Sequence, residues 1–203
     1  MKRRRMRLTP ELVARVAHDP SAPPAPFPPD TRPATDADHQ AVVSEILRTA
    51  PDARDVWVFA YGSLIWNPAC QNVEQRSGRA RGWHRSFCLG WDRWFRGSAE
   101  RPGLMLALDR GGSCTGVVFK LPPDAVTENL FSLSKREVQV VPHPFPARWI
   151  NVDTDLGAVR AVTFAIDREA EPMSEIFRSR MLLMSWPLQP GNWDQWRSTS
   201  STP

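Results

Sequence analysis

Residues 56–60, VWVFA, are apolar without interruption, the pattern of a strand covered on both faces. The run breaks at Tyr61-Gly62-Ser63 and resumes at Leu64 and Ile65, setting a turn directly against a buried strand. Further along the pattern is mixed. Residues 79–89 make a weaker strand, because His84 and Arg85 interrupt their apolar character. Residues 104–108 and 114–121 flank DRGGS, whose glycine pair predicts a hairpin. Residues 149–152 and 159–166 flank DTDLG, which predicts another.

A helical period follows Pro122-Pro123-Asp124, where Val126, Leu130 and Leu133 fall at i, i+4 and i+7. At 100° per residue, Glu137 lies about 20° from Val126, so a carboxylate sits on the apolar stripe. It also sits in the last turn, where the helix dipole does not favour negative charge. Two readings stand. Glu137 is the partner of an inward arginine (Arg96, Arg136 or Arg148), or burial raises its pKa until it exchanges protons near neutrality.

The first fifty residues are organised differently. Thr9-Pro10-Glu11 reads as a helix start, with Leu12, Val13 and Val16 forming a short amphipathic stripe. Residues 18–34 hold seven prolines in seventeen positions, an extended and fairly stiff linker. Thr35-Asp36-Ala37-Asp38 then resembles a capping box ahead of Val42, Val43, Ile46 and Leu47. The expected organisation is a basic tail and two-helix arm over 1–54, a folded domain over 55–170 and a separate segment over 171–203. Several antiparallel strands with one central helix predict an α+β fold, a small mixed or antiparallel β-barrel with flanking helices.

Composition narrows the function. The chain has 203 residues, 41% hydrophobic and 24% charged, as in soluble globular proteins. No apolar run approaches a membrane span, and no apolar stretch follows MKRRRMR, so neither membrane insertion nor a secretory leader is expected. Met6 offers an alternative start. Cys70, Cys88 and Cys114 form no C-x-x-C, which predicts neither a disulfide framework nor a zinc site and fits a reducing cytoplasm. His18, His39, His84 and His143 are scattered and read as surface or structural residues, not ligands. The net charge of +4 suggests nucleic acid only superficially. Five of the 26 basic residues are Lys2, Arg3, Arg4, Arg5 and Arg7; the rest of the chain sets 21 against 22 acidic residues, a net −1. The basic character belongs to the tail.

The turn at 61–63 carries the chemistry. Consecutive backbone N–H groups leave the strand there, and Gly62 lets a ligand approach the main chain. Such a nest suits a carboxylate, a phosphate or a developing oxyanion. An ordinary β-turn with a serine bonded to its own backbone fits the same residues. Taken together, nest and inward acid describe proton transfer on a small polar substrate.

VWVFAYGSLIWNP, GWHRSFCL, RGSAERPGLMLAL, GVVFKL and KREV occur in an order that resembles the ChaC-type γ-glutamylcyclotransferases, over roughly residues 8–168. The resemblance implies a mixed α/β fold around a small barrel, and release of 5-oxoproline and Cys-Gly from glutathione without metal or organic cofactor. It places the substrate-binding loop on Ala60, Tyr61, Gly62, Ser63, Leu64 and Ile65 and the catalytic acid on Glu137, with Arg96 and Gly97 completing the pocket. Arg136, one residue off the apolar stripe, is read as structural. A γ-glutamyl-binding protein of the same fold without turnover is the alternative. Three departures stand out. Ala60 replaces a glycine, Ser134 replaces an aromatic, and the family's Glu-Tyr-Leu ending is absent beyond Asp167, as a changed reading frame or an unusual terminus would give.

Overall fold

The computed structural model describes residues 30–88, 91–92 and 103–168. In chain order these form β1 (Arg32–Pro33), α1 (Asp36–Arg48), β2 (Trp57–Ala60), a single 3₁₀ turn (Ser63–Ile65), β3 (Glu74–Ser86) and β4 (Trp91–Asp92). There follow β5 (Gly103–Leu104), β6 (Ala107–Lys120), α2 (Val126–Glu137), β7 (Val140–Val141), β8 (Ala147–Thr154) and β9 (Gly157–Phe164). Five strands close into a barrel in the order β2-β6-β3-β8-β9, and the seam is the parallel pairing of Val58 with Val162. Its other four contacts are antiparallel, so the barrel is mixed. β1 pairs with β7, and β4 with β5, as short antiparallel ribbons outside it.

The fully apolar β2 is explained by what covers it. Trp57 and Phe59 join a cluster drawn from all five barrel strands, including Leu108, Val118, Ile150 and Ala161, which fills the interior. Val58 and Ala60 point the other way, into a second cluster shared with both helices. Alternation between two apolar layers leaves no polar position on the strand.

α2 runs over the residues that the period predicts. Leu130 and Leu133 are fully buried and Val126 nearly so, each side chain contributing about 1.5–3 kcal/mol through burial. Thr35 caps α1 in a true capping box, with Asp38 accepting from the Thr35 backbone N–H at 2.8 Å. α1 lies against α2 and sends Val43 and Ile46 into the same core. Its His39 Nδ1 is 3.1 Å from Ser134 Oγ, and its ring meets Phe131 edge-on. Ser134, where the resemblance has an aromatic, is therefore the polar partner of a buried histidine on the neighbouring helix. The two-helix arm is described only in its second helix; residues 8–17 lie outside the described residues.

One expected hairpin is present and one is not. Asp155-Leu156 joins β8 to β9, with Gly157 at φ 106° closing the turn. DRGGS, by contrast, is no hairpin. β6 runs through it without a break and pairs with β3 from Glu74↔Lys120 to Ser86↔Ala107. Gly111 and Gly112 have φ of 101° and 65°, and the register shifts opposite them, between Arg81 and Trp83. The glycines bend a long strand. Residues 104–108 accordingly divide between β5 and the start of β6.

Candidate active site

β2 ends at Ala60, and the chain turns through Tyr61 and Gly62 into the 3₁₀ turn. Ile65 N donates to Gly62 O at 3.0 Å and Trp66 N to Ser63 O at 3.2 Å. The N–H groups of Ser63 and Leu64 come before any carbonyl that could accept them, and have no acceptor among the described residues. A Cβ built on Gly62 would meet nothing within 4 Å, so the main chain there borders open space.

That space is a cavity of about 810 Å³. Tyr61, Gly62, Ser63, Leu64, Ile65 and Trp66 line one side of it. Arg136 and Glu137, in the last turn of α2, line it too, with Gln139, Val140, His143, Pro144 and Phe145 following. Arg85, Met105, Leu106 and Phe164 complete the wall. Glu137, placed by periodicity on the apolar stripe, thus shares a hollow with the turn after β2. Ala60 does not line it; its side chain is buried in the core between barrel and helices. Arg96 and Gly97 lie outside the described residues.

Two arginines hold the turn at its ends. Arg85 Nε donates to Tyr61 O and its Nη2 to Thr115 O, both at 2.6 Å. Arg136 Nη1 donates to Asn67 O at 2.5 Å, and its Nε is 3.5 Å from Glu137 Oε1. Arg136 therefore both supports the turn and flanks the carboxylate. Arg148 is committed elsewhere, to Asp167 at 2.6 Å.

Electrostatics link the two halves. Tyr61 Oη donates to Phe164 O at 3.1 Å. Burial, and after it the negative charge of Glu137, raise the phenol above its ordinary range, so it stays a donor at neutral pH. His143 is pushed the other way: burial lowers its pKa, opposed in part by the Phe145 backbone. Its Nδ1 is buried without a partner of hydrogen-bond geometry among the described residues. A neutral imidazole and a carboxylate therefore line one cavity. The side chain of Glu137 is about a quarter exposed.

The family model for ChaC-like proteins matches residues 56–172. The chain belongs to the ChaC-like protein family. A curated relative, the "Glutathione-specific gamma-glutamylcyclotransferase" of Escherichia coli (strain K12), is 37% identical over 154 residues, covering 73% of this chain and 65% of the relative. The "Glutathione-specific gamma-glutamylcyclotransferase 1" of Mus musculus is 39% identical over 88 residues, 42% of this chain and 39% of that one. The chain thus spans under two thirds of the length of these relatives. A solved yeast γ-glutamyl cyclotransferase specific to glutathione matches with TM-score 0.50 at 16% identity, covering 58% of this chain and 71% of that one. That likeness is one of fold.

Of the residues around this ChaC-like cavity, Arg85 and His143 had no role in the sequence reading. Arg85 left a signal, a cation interrupting an otherwise strand-like stretch. His143 left none, since it follows the helix by six residues and carries no period.

Proposed function

We propose that the chain is a γ-glutamylcyclotransferase acting on glutathione in the cytoplasm, with Glu137 as proton carrier and the 61–65 turn as binding loop. The observation carrying this is that Glu137 lines one cavity with Ser63 and Leu64, whose N–H groups have no acceptor among the described residues. The names of the E. coli and mouse relatives support the substrate.

The α-amine of the γ-glutamyl group attacks its own γ-carbonyl, a C–N bond closes the five-membered lactam, and the C–N bond to cysteine breaks. Two protons leave the attacking nitrogen and two reach the departing one, so 5-oxoproline and Cys-Gly form without an external acid, oxidant or reductant. Because attack is intramolecular, the protein's main task is to hold a folded conformer; such alignment corresponds to effective molarities of about 10⁵ M or more. Glu137 takes a proton from the ammonium and returns one to the leaving nitrogen. Ser63 and Leu64 N–H groups oppose charge on the carbonyl oxygen. Burial of the cavity walls strengthens both effects.

The test is incubation with glutathione and quantification of 5-oxoproline and Cys-Gly, beside Glu137→Gln. The wild type is expected to release both in equal amounts and the variant to be slower by roughly 10²–10⁴-fold. Glutathione binding without product would assign a binding protein of the same fold instead. A Glu137→Gln variant as fast as wild type would remove Glu137 from the mechanism.

A further inference from the structure

We propose that Arg85 is a specificity-determining residue, reading the second carboxylate of a γ-glutamyl peptide beyond the scissile amide, while Arg136 reads the first. This rests on the cyclotransferase reading above.

Both guanidinium groups are anchored to the binding turn by part of their donor set. Arg85 uses Nε and Nη2 on backbone carbonyls, and its Nη1 has no acceptor among the described residues. Arg136 uses Nη1 on Asn67 O and sets Nε beside Glu137, while its Nη2 has no acceptor among the described residues. Each is thus a fixed cation with an unused donor, which is the arrangement that recognises a carboxylate at little entropic cost.

The charge pattern is complementary to one ligand class. Among the described residues, the arginine, lysine and acidic side chains lining the cavity are Arg85, Arg136 and Glu137, two basic and one acidic. Glutathione has the mirror image, two carboxylates and one ammonium. A γ-glutamyl amide with no carboxylate beyond the scissile bond leaves one arginine without a counter-ion.

Depth decides which arginine meets which carboxylate. In the γ-glutamyl group the α-ammonium and α-carboxylate share a carbon, so when the ammonium meets Glu137 the neighbouring cation is Arg136, 3.5 Å from that carboxylate. Arg136 is a quarter exposed, whereas Arg85 is an exposed residue at the other end of the turn. The distal carboxylate, carried by the part of the substrate that departs, points to Arg85.

The test compares glutathione with its C-terminal glycinamide, which differs by one carboxylate. Both kcat/KM and calorimetric affinity are measured for wild type, Arg85→Gln, Arg85→Lys and Arg136→Gln. Wild type is expected to prefer the free acid by at least about tenfold, mainly in KM, with the preference shrinking as salt rises. Arg85→Gln is expected to abolish the preference and Arg85→Lys to keep part of it; a residue that merely props the turn would slow both substrates equally and leave their ratio unchanged. Wild type using both compounds equally would overturn the proposal, and needs no variant to fold. Loss of the preference in Arg136→Gln, with retention in Arg85→Gln, would overturn the assignment to Arg85. Discriminating affinity without product would uphold the recognition and sink the cyclotransferase reading; product without discrimination would do the reverse. Neither binding nor product would sink both.

Discussion

The hydroxyl of Tyr61 and the main-chain oxygen of Phe164, 103 residues apart in sequence, are hydrogen-bonded at 3.1 Å. The bond ties the turn after β2 to the last residue of β9. Tyr61 is the chain's only tyrosine, so ultraviolet titration reads this phenol alone. In the folded protein its absorbance is expected to stay that of the neutral phenol past the ordinary pKa of 10.0. In Glu137→Gln the phenol should ionise at lower pH than in wild type, because the carboxylate that opposes a second negative charge is gone. Identical titration of the two proteins would separate Glu137 from Tyr61. Circular dichroism at each pH keeps unfolding from mimicking the shift.

Gly116 lies behind the binding turn. A Cβ there would sit 2.2 Å from Ala60 O and 2.8 Å from two ring carbons of Phe59. Gly116→Ala is expected to lower stability by roughly 1–3 kcal/mol, read by urea unfolding. It should also lower kcat/KM more than Ile150→Val, a core change of about 0.5–1.5 kcal/mol elsewhere in the barrel, because Ala60 leads directly into Tyr61. Equal losses would show that the clash relaxes away from the site.

Ser134 and His39 make a buried polar pair. Ser134→Ala leaves the His39 nitrogen without this partner and is expected to cost about 1–3 kcal/mol of unfolding free energy. Turnover per folded molecule should be unchanged, since the pair belongs to the contact between α1 and α2. A fall in turnover at full folding would give α1 a part in the site.

His143 predicts a pH dependence of stability. Its folded pKa is lowered by burial, so below its ordinary value of 6.5 the unfolded chain binds a proton that the folded chain resists. Stability is therefore full above 6.5 and is lost as pH falls through the lowered folded value. His143→Gln should flatten this loss between pH 7 and 5 in thermal unfolding. A wild type and variant with parallel melting profiles over that range would refute it.

How much of this was legible follows from which interactions are local. α2 was readable residue by residue, because its apolar stripe repeats every turn and meets one continuous core. The β8–β9 hairpin was readable because its turn chemistry is contained in a few residues. The glycine pair in β6 misled because a bulge and a hairpin require the same positive φ; the long partner that decides between them, β3, is some thirty residues away. The docking of α1 on α2 was not readable from the proline-rich stretch before it, as His39 and Ser134 meet across 95 positions. Glu137 was marked by a polar residue where an apolar one was due. Arg85 broke the same rule, but in a weaker strand, where one exception carries less weight.

The parallel seam between β2 and β9 has a bearing on biogenesis. β2 emerges from the ribosome early, yet its free edge is satisfied only when Ala161 and Val162 reach Trp57 and Val58. Until then, a growing polypeptide exposes unpaired main-chain groups along its most apolar strand, beside the loop that will grip substrate. Maturation of the pocket is in this way coupled to the synthesis of β9, and a product halted before Gly157 leaves that edge open.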